Sequence, residues 1–537
     1  MLRHRPTSEQ HLALELFATG ESLKINAFAG TGKTSTLEFL AEHSRKPGIY
    51  LAFNKSIADE AAGRFPSHVQ CRTTHSLAYR LTPSAFRNNR SKMFEDLNPN
   101  GVADALGLEG IVLGSLFNLT RRSRGALIRQ TLKRFQHSDA PQILGSHVPR
   151  WGKMSALSKP ELQKLIDDTT QNTRTLWNRM LDPSDRAPLG HDGYFKRWSL
   201  NDPEIPGSFI LLDEAQDTNP AMLAALRNQD AQVIYVGDRY QQIYEWRGAV
   251  NAMDTVVTQR KCDLTQSFRF GDEIAEAASN LLGALNESQR IKGNPKVTSR
   301  LGCSNPNAIL CRTNAGVIDH VIQAFNAGIT PHIVGGTGEV LRLLDGVKWL
   351  QRGQPTDVPE FFGFTRWQEV VEFSESEEGQ PLRAFVRLVE RHGESRLRSY
   401  LTGTAQREGD SSLVVSTAHK AKGREWDHVC VVDDFVVVKK DDEGEEVGFD
   451  EEELRLLYVA LTRARLSVQI PEILASKFDI DQQYQVLDLR RLSRPRVRRA
   501  PTAMPRKAVV EKSFPPTTPT TRASEPFLTR ILRKWFG

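Results

Sequence analysis

Two rhythms of apolar residues alternate along this chain. Short apolar runs bounded by polar or turn-forming residues predict buried strands, and between them apolar positions recurring at three- and four-residue spacing predict helices. In one region the runs at 23–27, 49–53, 209–212 and 233–236 predict strands; in a second, the runs at 308–311, 413–416 and 429–432 do. Strands alternating with helical patterns are the signature of parallel sheets covered by helices, so the pattern predicts two α/β cores. The stretch from about 81 to 200 breaks the rhythm with Arg/Lys-rich helical patterns, among them LTRRSRGALIRQTLKRFQ, and reads as an insertion into the first core. A second, shorter insertion is expected at 345–410. The resulting division is 1–80 with 201–263, then 81–200, then 264–344 with 411–490, then 345–410, and a tail at 491–537.

After Leu492 the composition turns to Pro, Thr and Arg, which cannot bury enough apolar surface to fold alone, and the tail reads as disordered. Its last residues, PFLTRILRKWFG, are an exception. Phe527, Leu528, Ile531, Leu532, Trp535 and Phe536 recur at helical spacing opposite Arg530, Arg533 and Lys534. That spacing predicts a short amphipathic helix formed on contact with a partner's groove or with the protein's own body, lipid being the less favoured surface.

Length and charge sharpen this picture. At 537 residues the chain exceeds what one hydrophobic core usually organises. No uninterrupted apolar stretch is long enough to span a bilayer, and the polar start MLRHRPTSEQ lacks the apolar core of a secretory signal. A cytoplasmic or nucleoid location is therefore expected. The five cysteines, Cys71, Cys262, Cys303, Cys311 and Cys430, are scattered without C-x-x-C pairs, which favours idle thiols over disulfides or zinc. The net charge of +6 hides a division: residues 490–537 carry 13 basic against 2 acidic side chains, leaving 58 against 63 in the body. Nucleic-acid affinity of the body must come from a local groove, with the tail as a salt-sensitive tether.

The chemistry is concentrated in two segments of the first region. The apolar KINAFA runs into AFAGTGKT (Ala27, Phe28, Ala29, Gly30, Thr31, Gly32, Lys33, Thr34), then into a helical pattern that begins at Ser35. This is the strand, loop and helix context of a phosphate-binding loop. Backbone N–H groups surround phosphate oxygens, Lys33 supplies charge to the terminal phosphates of ATP, and Thr34 offers a hydroxyl to Mg²⁺. The second segment, FILLDEAQDTN, ends a buried strand in Asp213 and Glu214. At the carboxyl edge of the same sheet Asp213 would hold Mg²⁺ and Glu214 would orient or deprotonate the attacking water.

The order and wording of the segments resembles the superfamily 1A DNA helicases, the UvrD, Rep and PcrA group. The matching segments are TSEQ around Gln10, AFNKS at 52–56, TTHS at 73–76, LLDEAQDTN, VGDRYQQIYEWRGA at 236–249, LTQSFRF at 264–270, CRTN at 311–314, STAHKAKGREWD at 416–427 and LRLLYVALTRAR at 454–465. The wording is closer still to the helicase part of the F-box DNA helicases, and with no F-box segment before Met1 a short, F-box-less member is expected. The resemblance implies an α/β fold of two RecA-like P-loop cores with parallel sheets, each interrupted by an inserted, mostly helical subdomain.

The resemblance also implies roles. Gln10 would read adenine, Gln241 would sense the γ-phosphate, and Arg269 and Arg463 would reach the transferring phosphoryl group from the second core. Phe268 would stack on the base and Glu425 would contact the ribose. Phe53, Asn54, His75, Tyr244, Trp246, Arg247 and His419 would line the DNA path, where aromatics beside a cation suit stacked, unpaired bases. Three positions depart from UvrD-type wording: Phe268 replaces a Tyr, Ser35 replaces a frequent Arg, and Phe53 lies one position nearer Asn54. The implied activity is an ATP- and Mg²⁺-dependent 3′–5′ helicase in repair or recombination, acting on single-stranded DNA and on DNA with a 3′ single-stranded tail. A protein partner would engage the C-terminal tail. The alternative is a DNA-stimulated ATPase that clears proteins from single strands, or gates a partner, without productive unwinding.

Overall fold

The chain folds around two parallel sheets, each of six strands. The computed structural model describes residues 5–52, 54–113, 117–152, 154, 157–243, 250–376, 379–440 and 446–491. The first sheet contains β1 (Leu23–Ala27), β2 (Gly48–Ala52), β3 (Val69–Thr73), β4 (Phe209–Leu212), β5 (Gln232–Gly237) and β6 (Arg260–Leu264). Its order is β3-β2-β4-β5-β1-β6, with every neighbouring pair parallel. The second contains β7 (Arg300–Leu301), β8 (Ala308–Cys311), β9 (His332–Ile333), β10 (Val414–Thr417), β11 (Trp426–Val431) and β12 (Ala464–Gln469). Its order is β9-β10-β8-β11-β12-β7, again all parallel. The α/β class and the two-core architecture expected from the hydrophobic pattern are thus present.

Strands read as uniform apolar runs are those buried on both faces. In β4 all four residues are buried, as they are in β8. Alternation assigns their side chains to two layers. Ile49, Leu51, Ile210 and Leu212 face one cluster, whereas Tyr50, Ala52, Phe209 and Leu211 face the other. The pattern at 49–53 is displaced to 48–52, that at 413–416 to 414–417, and that at 429–432 extends back to Trp426.

Sequence reading missed β3, β6, β7, β9 and β12. Four of these five are edge strands of their sheets, where burial is partial and polar residues are retained, as in RKCDL of β6 and VQCRT of β3.

Between β3 and β4 the chain is mostly helical, with the long helices Arg121–His137 and Lys159–Leu181 and one small hairpin, Ile111–Leu113 with Phe117–Leu119. Phe86, Met93, Phe135, Trp177 and Phe195 from this segment join Ile49, Leu51, Ile210 and Leu212 in one cluster, so it extends the first core on one sheet face. Between β9 and β10 the helices Gly338–Gln351, Trp367–Ser374, Gln380–His392 and Glu394–Thr402 cover one face of the second sheet in the same way. The two segments also touch. Phe362 is fully buried among Leu113, Phe117, Leu127, Met154 and Leu165, with its ring edge-on to Trp151 at 5.2 Å. Arg122 pairs with Asp357 at 3.0 Å beside this contact.

Among the described residues no helix is long and apolar enough to cross a membrane. The cysteines are free; Cys262, Cys303, Cys311 and Cys430 are buried and Cys71 is half-buried. The tail, with the amphipathic pattern at Phe527–Phe536, lies outside the described residues.

Candidate active site

β1 ends at Ala27 and the chain turns through Phe28–Gly32 into the helix Lys33–His43. Gly30 and Gly32 hold φ of 75° and 77°, left-handed values that favour glycine. Close approach adds a second requirement. A Cβ on Gly30 would lie 2.6 Å from Ser267 Oγ and 2.7 Å from Arg269 Cβ, and one on Gly32 would lie 3.2 Å from the Phe268 ring. The segment after β6 therefore packs directly on the loop, with the Phe268 amide donating to Gly30 O at 2.8 Å. Glu9 secures that segment by accepting from the Thr265 amide at 2.7 Å and from its hydroxyl at 2.5 Å.

Lys33, Thr34, Asp213 and Glu214 converge at the carboxyl edge of the first sheet. Lys33 Nζ lies 3.2 Å from Glu214 Oε1, and Thr34 Oγ1 lies 3.3 Å from Asp213 Oδ2. Glu214 adopts φ 50° and ψ 45°, strained for a residue with a Cβ. Burial, and then the charge of Glu214, raises the Asp213 carboxyl above its ordinary range. Burial alone would raise Glu214 as well, but Lys33 and then Lys422 hold it down to about 2. The site fits a small hard cation. Thr34 and Asp213 present two oxygens near the separation of about 2.9 Å expected of adjacent Mg²⁺ ligands, and buried Asp213 gains from a positive neighbour.

Gln10 is buried against the same helix. Its Oε1 accepts from the Thr7 amide at 3.0 Å in a capping box, and its Nε2 donates to Thr36 Oγ1 at 2.9 Å. Phe268 is 48% exposed beside Gly32. Ser35 is half-buried on the first turn of the helix.

From the second core, Arg269 pairs with Glu425 at 2.7 Å and donates to Thr462 O at 2.9 Å. Arg463 is almost wholly buried. Its guanidinium donates to Val459 O at 2.8 Å and to Gln241 Oε1 at 3.3 Å. Burial, reinforced by Arg269, draws its pKa down to about 9. Gln241 in turn donates to Asp238 Oδ2 at 2.8 Å. The structure thus brings Lys33, Asp213, Glu214, Gln241, Arg269 and Arg463 to one inter-core region.

Residue-type reasoning missed several members of this region. Lys422 of the second core bonds both Asp217 and Gln241 O of the first. Gln216 links Glu214 at 2.5 Å to Asp217 at 3.3 Å. Tyr50, buried on β2, donates to Asp213 Oδ2 at 2.8 Å. Tyr458 bridges Ala29 and Asp238. Lys422, Asp217 and Tyr458 lay inside recognised segments, but nothing in their type or spacing singled them out.

Of the residues assigned to DNA, Asn54 and His75 follow the ends of the paired strands β2 and β3, and His419 follows β10 of the second core. His419 lines a cavity of about 700 Å³ with Arg312, Asn314 and Lys420. His75 is stacked on Phe195 at 4.8 Å with its Nε2 3.3 Å from Asp192. Burial alone would raise Asp192, but hydrogen bonds from His137 and His75 hold it well below the carboxylate range. Asn54 caps the helix Lys55–Ala62, its Oδ1 accepting from the Ile57 amide at 3.0 Å. Phe53, Tyr244, Trp246 and Arg247 lie outside the described residues.

Comparison with known proteins bears on the same segments. Residues 195–258, which carry Asp213, Glu214 and Gln241, match the model of the UvrD/REP helicase N-terminal domain, and residues 412–470, which carry Glu425 and Arg463, match the UvrD-like helicase C-terminal domain. The chain thus carries UvrD-like helicase N- and C-terminal domains. The chain is 31% identical over 498 residues to F-box DNA helicase 1 of Gallus gallus, covering 85% of the chain and 48% of that protein. It is 32% identical over 505 residues to F-box DNA helicase protein 1 of Schizosaccharomyces pombe, covering 86% of the chain and 56% of that protein. DNA helicase IV of Escherichia coli is 38% identical over 87 residues, 14% of the chain and 13% of that protein. The chain therefore spans about half the length of the two F-box relatives.

Proposed function

We propose that this chain is an ATP-dependent DNA helicase that moves 3′ to 5′ along single-stranded DNA, with a role in DNA repair or recombination. The observation that carries the reading is the convergence of Lys33 and Glu214 from the first core with Arg269 and Arg463 from the second. An arginine reaching a γ-phosphate from an opposing domain contributes on the order of a thousandfold or more to hydrolysis, and it ties turnover to closure of the cleft.

In this reading Lys33 leaves Glu214 for the terminal phosphates of ATP, and the freed carboxylate orients and deprotonates water. Thr34 and Asp213 would hold Mg²⁺, which would supply neutralisation of phosphate charge. Gln241, held between Asp238 and Arg463, is placed to report the occupied site to the second core. Repeated closing and opening of the two cores would move the protein along one strand. DNA as the substrate is supported by the names of the relatives.

The runner-up is a DNA-stimulated ATPase that clears proteins from single strands or gates a partner without productive unwinding. The buried Phe362 contact favours it, because that contact commits the second insertion to the first instead of leaving it free to grip duplex.

ATP turnover with and without single-stranded DNA, followed by unwinding of duplexes with 3′ or 5′ tails, tests both. DNA-stimulated turnover with unwinding from 3′ tails is expected; unwinding only from 5′ tails overturns the polarity, and stimulation without unwinding selects the runner-up. Lys33→Ala should abolish turnover while leaving the fold intact.

A further inference from the structure

We infer that Tyr458 is a positioning residue that holds the phosphate loop in register with the second core, so that ATP turnover responds to DNA. The inference rests on the ATPase reading above and adds a residue to which that reading assigns no role.

Tyr458 lies on the helix Glu451–Leu461 of the second core, and its side chain is fully buried. Its hydroxyl accepts the backbone N–H of Ala29 at 3.0 Å and bonds Asp238 Oδ2 at 2.9 Å. Ala29 belongs to the phosphate loop, and Asp238 follows β5 in the first core. One hydroxyl of the second core therefore joins two separate loops of the first.

Asp238 is itself enclosed. Its Oδ1 accepts from the Tyr240 amide at 3.0 Å and its Oδ2 from Gln241 Nε2 at 2.8 Å, while Gln241 Oε1 accepts from Arg463 at 3.3 Å. The series runs from loop amide to Tyr458, Asp238, Gln241 and Arg463, beginning in the first core and ending in the second. Arg463 follows the helix that carries Tyr458, so the same short segment grips the network at both ends. A displacement of that segment relative to the first core breaks the contacts to Ala29 and Asp238 together. A buried carboxylate losing a donor is costly, so the network favours either a fully docked or a fully released segment.

A tyrosine that merely packs would depend on its ring, which lies edge-on to Tyr240 at 6.5 Å. Tyr458→Phe keeps that ring and removes the hydroxyl alone. In the full-length chain this variant should stay folded with a lowered melting temperature and keep its affinities for ATP and single-stranded DNA, while DNA-stimulated kcat falls about tenfold with KM for ATP little changed. Asp238→Asn alters the other end of the bridge and should give a comparable loss, the double variant losing no more than the worse single. Should Tyr458→Phe fail to fold, Asp238→Asn carries the test. Stimulated turnover retained in either folded variant overturns the inference, as does loss of ATP affinity in step with kcat. Wild-type protein that DNA does not stimulate overturns the motor reading and this inference together.

Discussion

Glu214 carries two burdens at once: a left-handed backbone and a half-buried carboxylate beside Asp213. Such a backbone costs on the order of 1–3 kcal/mol and persists where surrounding structure over-determines it, here the end of β4 and the ion pair with Lys33. Glu214→Gln keeps the shape and removes the base. Turnover should fall by about 10² to 10⁴ with nucleotide affinity retained, checked by single-turnover kinetics and equilibrium binding. Lys196 gives a prediction in pH. Its ammonium is buried, donates to Ser138 O at 2.6 Å and Ala140 O at 2.8 Å, and burial draws its pKa down from 10.5 to about 8. Between those values the unfolded chain holds a proton that the native chain has released, so this group makes stability rise with pH across about 8 to 10.5. Urea unfolding should show wild type gaining on Lys196→Met from pH 8 to 10; parallel curves would remove the assignment.

At the scale of elements, the contact between the insertions is the testable joint. Phe362 is 0% exposed among side chains of the first insertion although it belongs to the second. Phe362→Ala should cost about 3–5 kcal/mol in denaturant unfolding if that pocket cannot collapse, and a cost under about 1 kcal/mol would show the joint to be loose. Strands buried on both faces were legible where apolar residues dominate them, as in FILL of β4. The edge strands were not, because RKCDL of β6 needs only Cys262 and Leu264 inside and otherwise resembles a polar connection. Lys92 shows the same limit in reverse. Its type reads as surface, yet it is buried with its ammonium bonded to four backbone carbonyls, including Asp182 O and Ala187 O at 2.6 Å.

For the whole molecule, charge is divided more sharply than its total suggests. Residues 495–537 hold 10 basic and 2 acidic side chains. If they tether DNA, removing them should flatten the salt dependence of single-strand binding, by roughly 0.7 in the logarithmic slope for each phosphate that the shortened chain leaves unneutralised. An unchanged slope measured by anisotropy would leave those charges without a part in DNA binding.

What the sequence determined by itself was local: the loop Ala27–Thr34 between strand and helix, the acidic pair closing β4, and the two α/β cores. Each of these is written in neighbouring residues, because backbone conformation and hydrophobic period are short-range properties. Only the tertiary structure decided how the cores address one another. Tyr458 reaches Ala29 across 429 positions, Arg463 reaches Gln241 across 222, and Lys422 reaches Asp217 across 205. Whether a tyrosine hydroxyl or a lysine ammonium finds a distant partner depends on how packed sheets and helices bring those positions together.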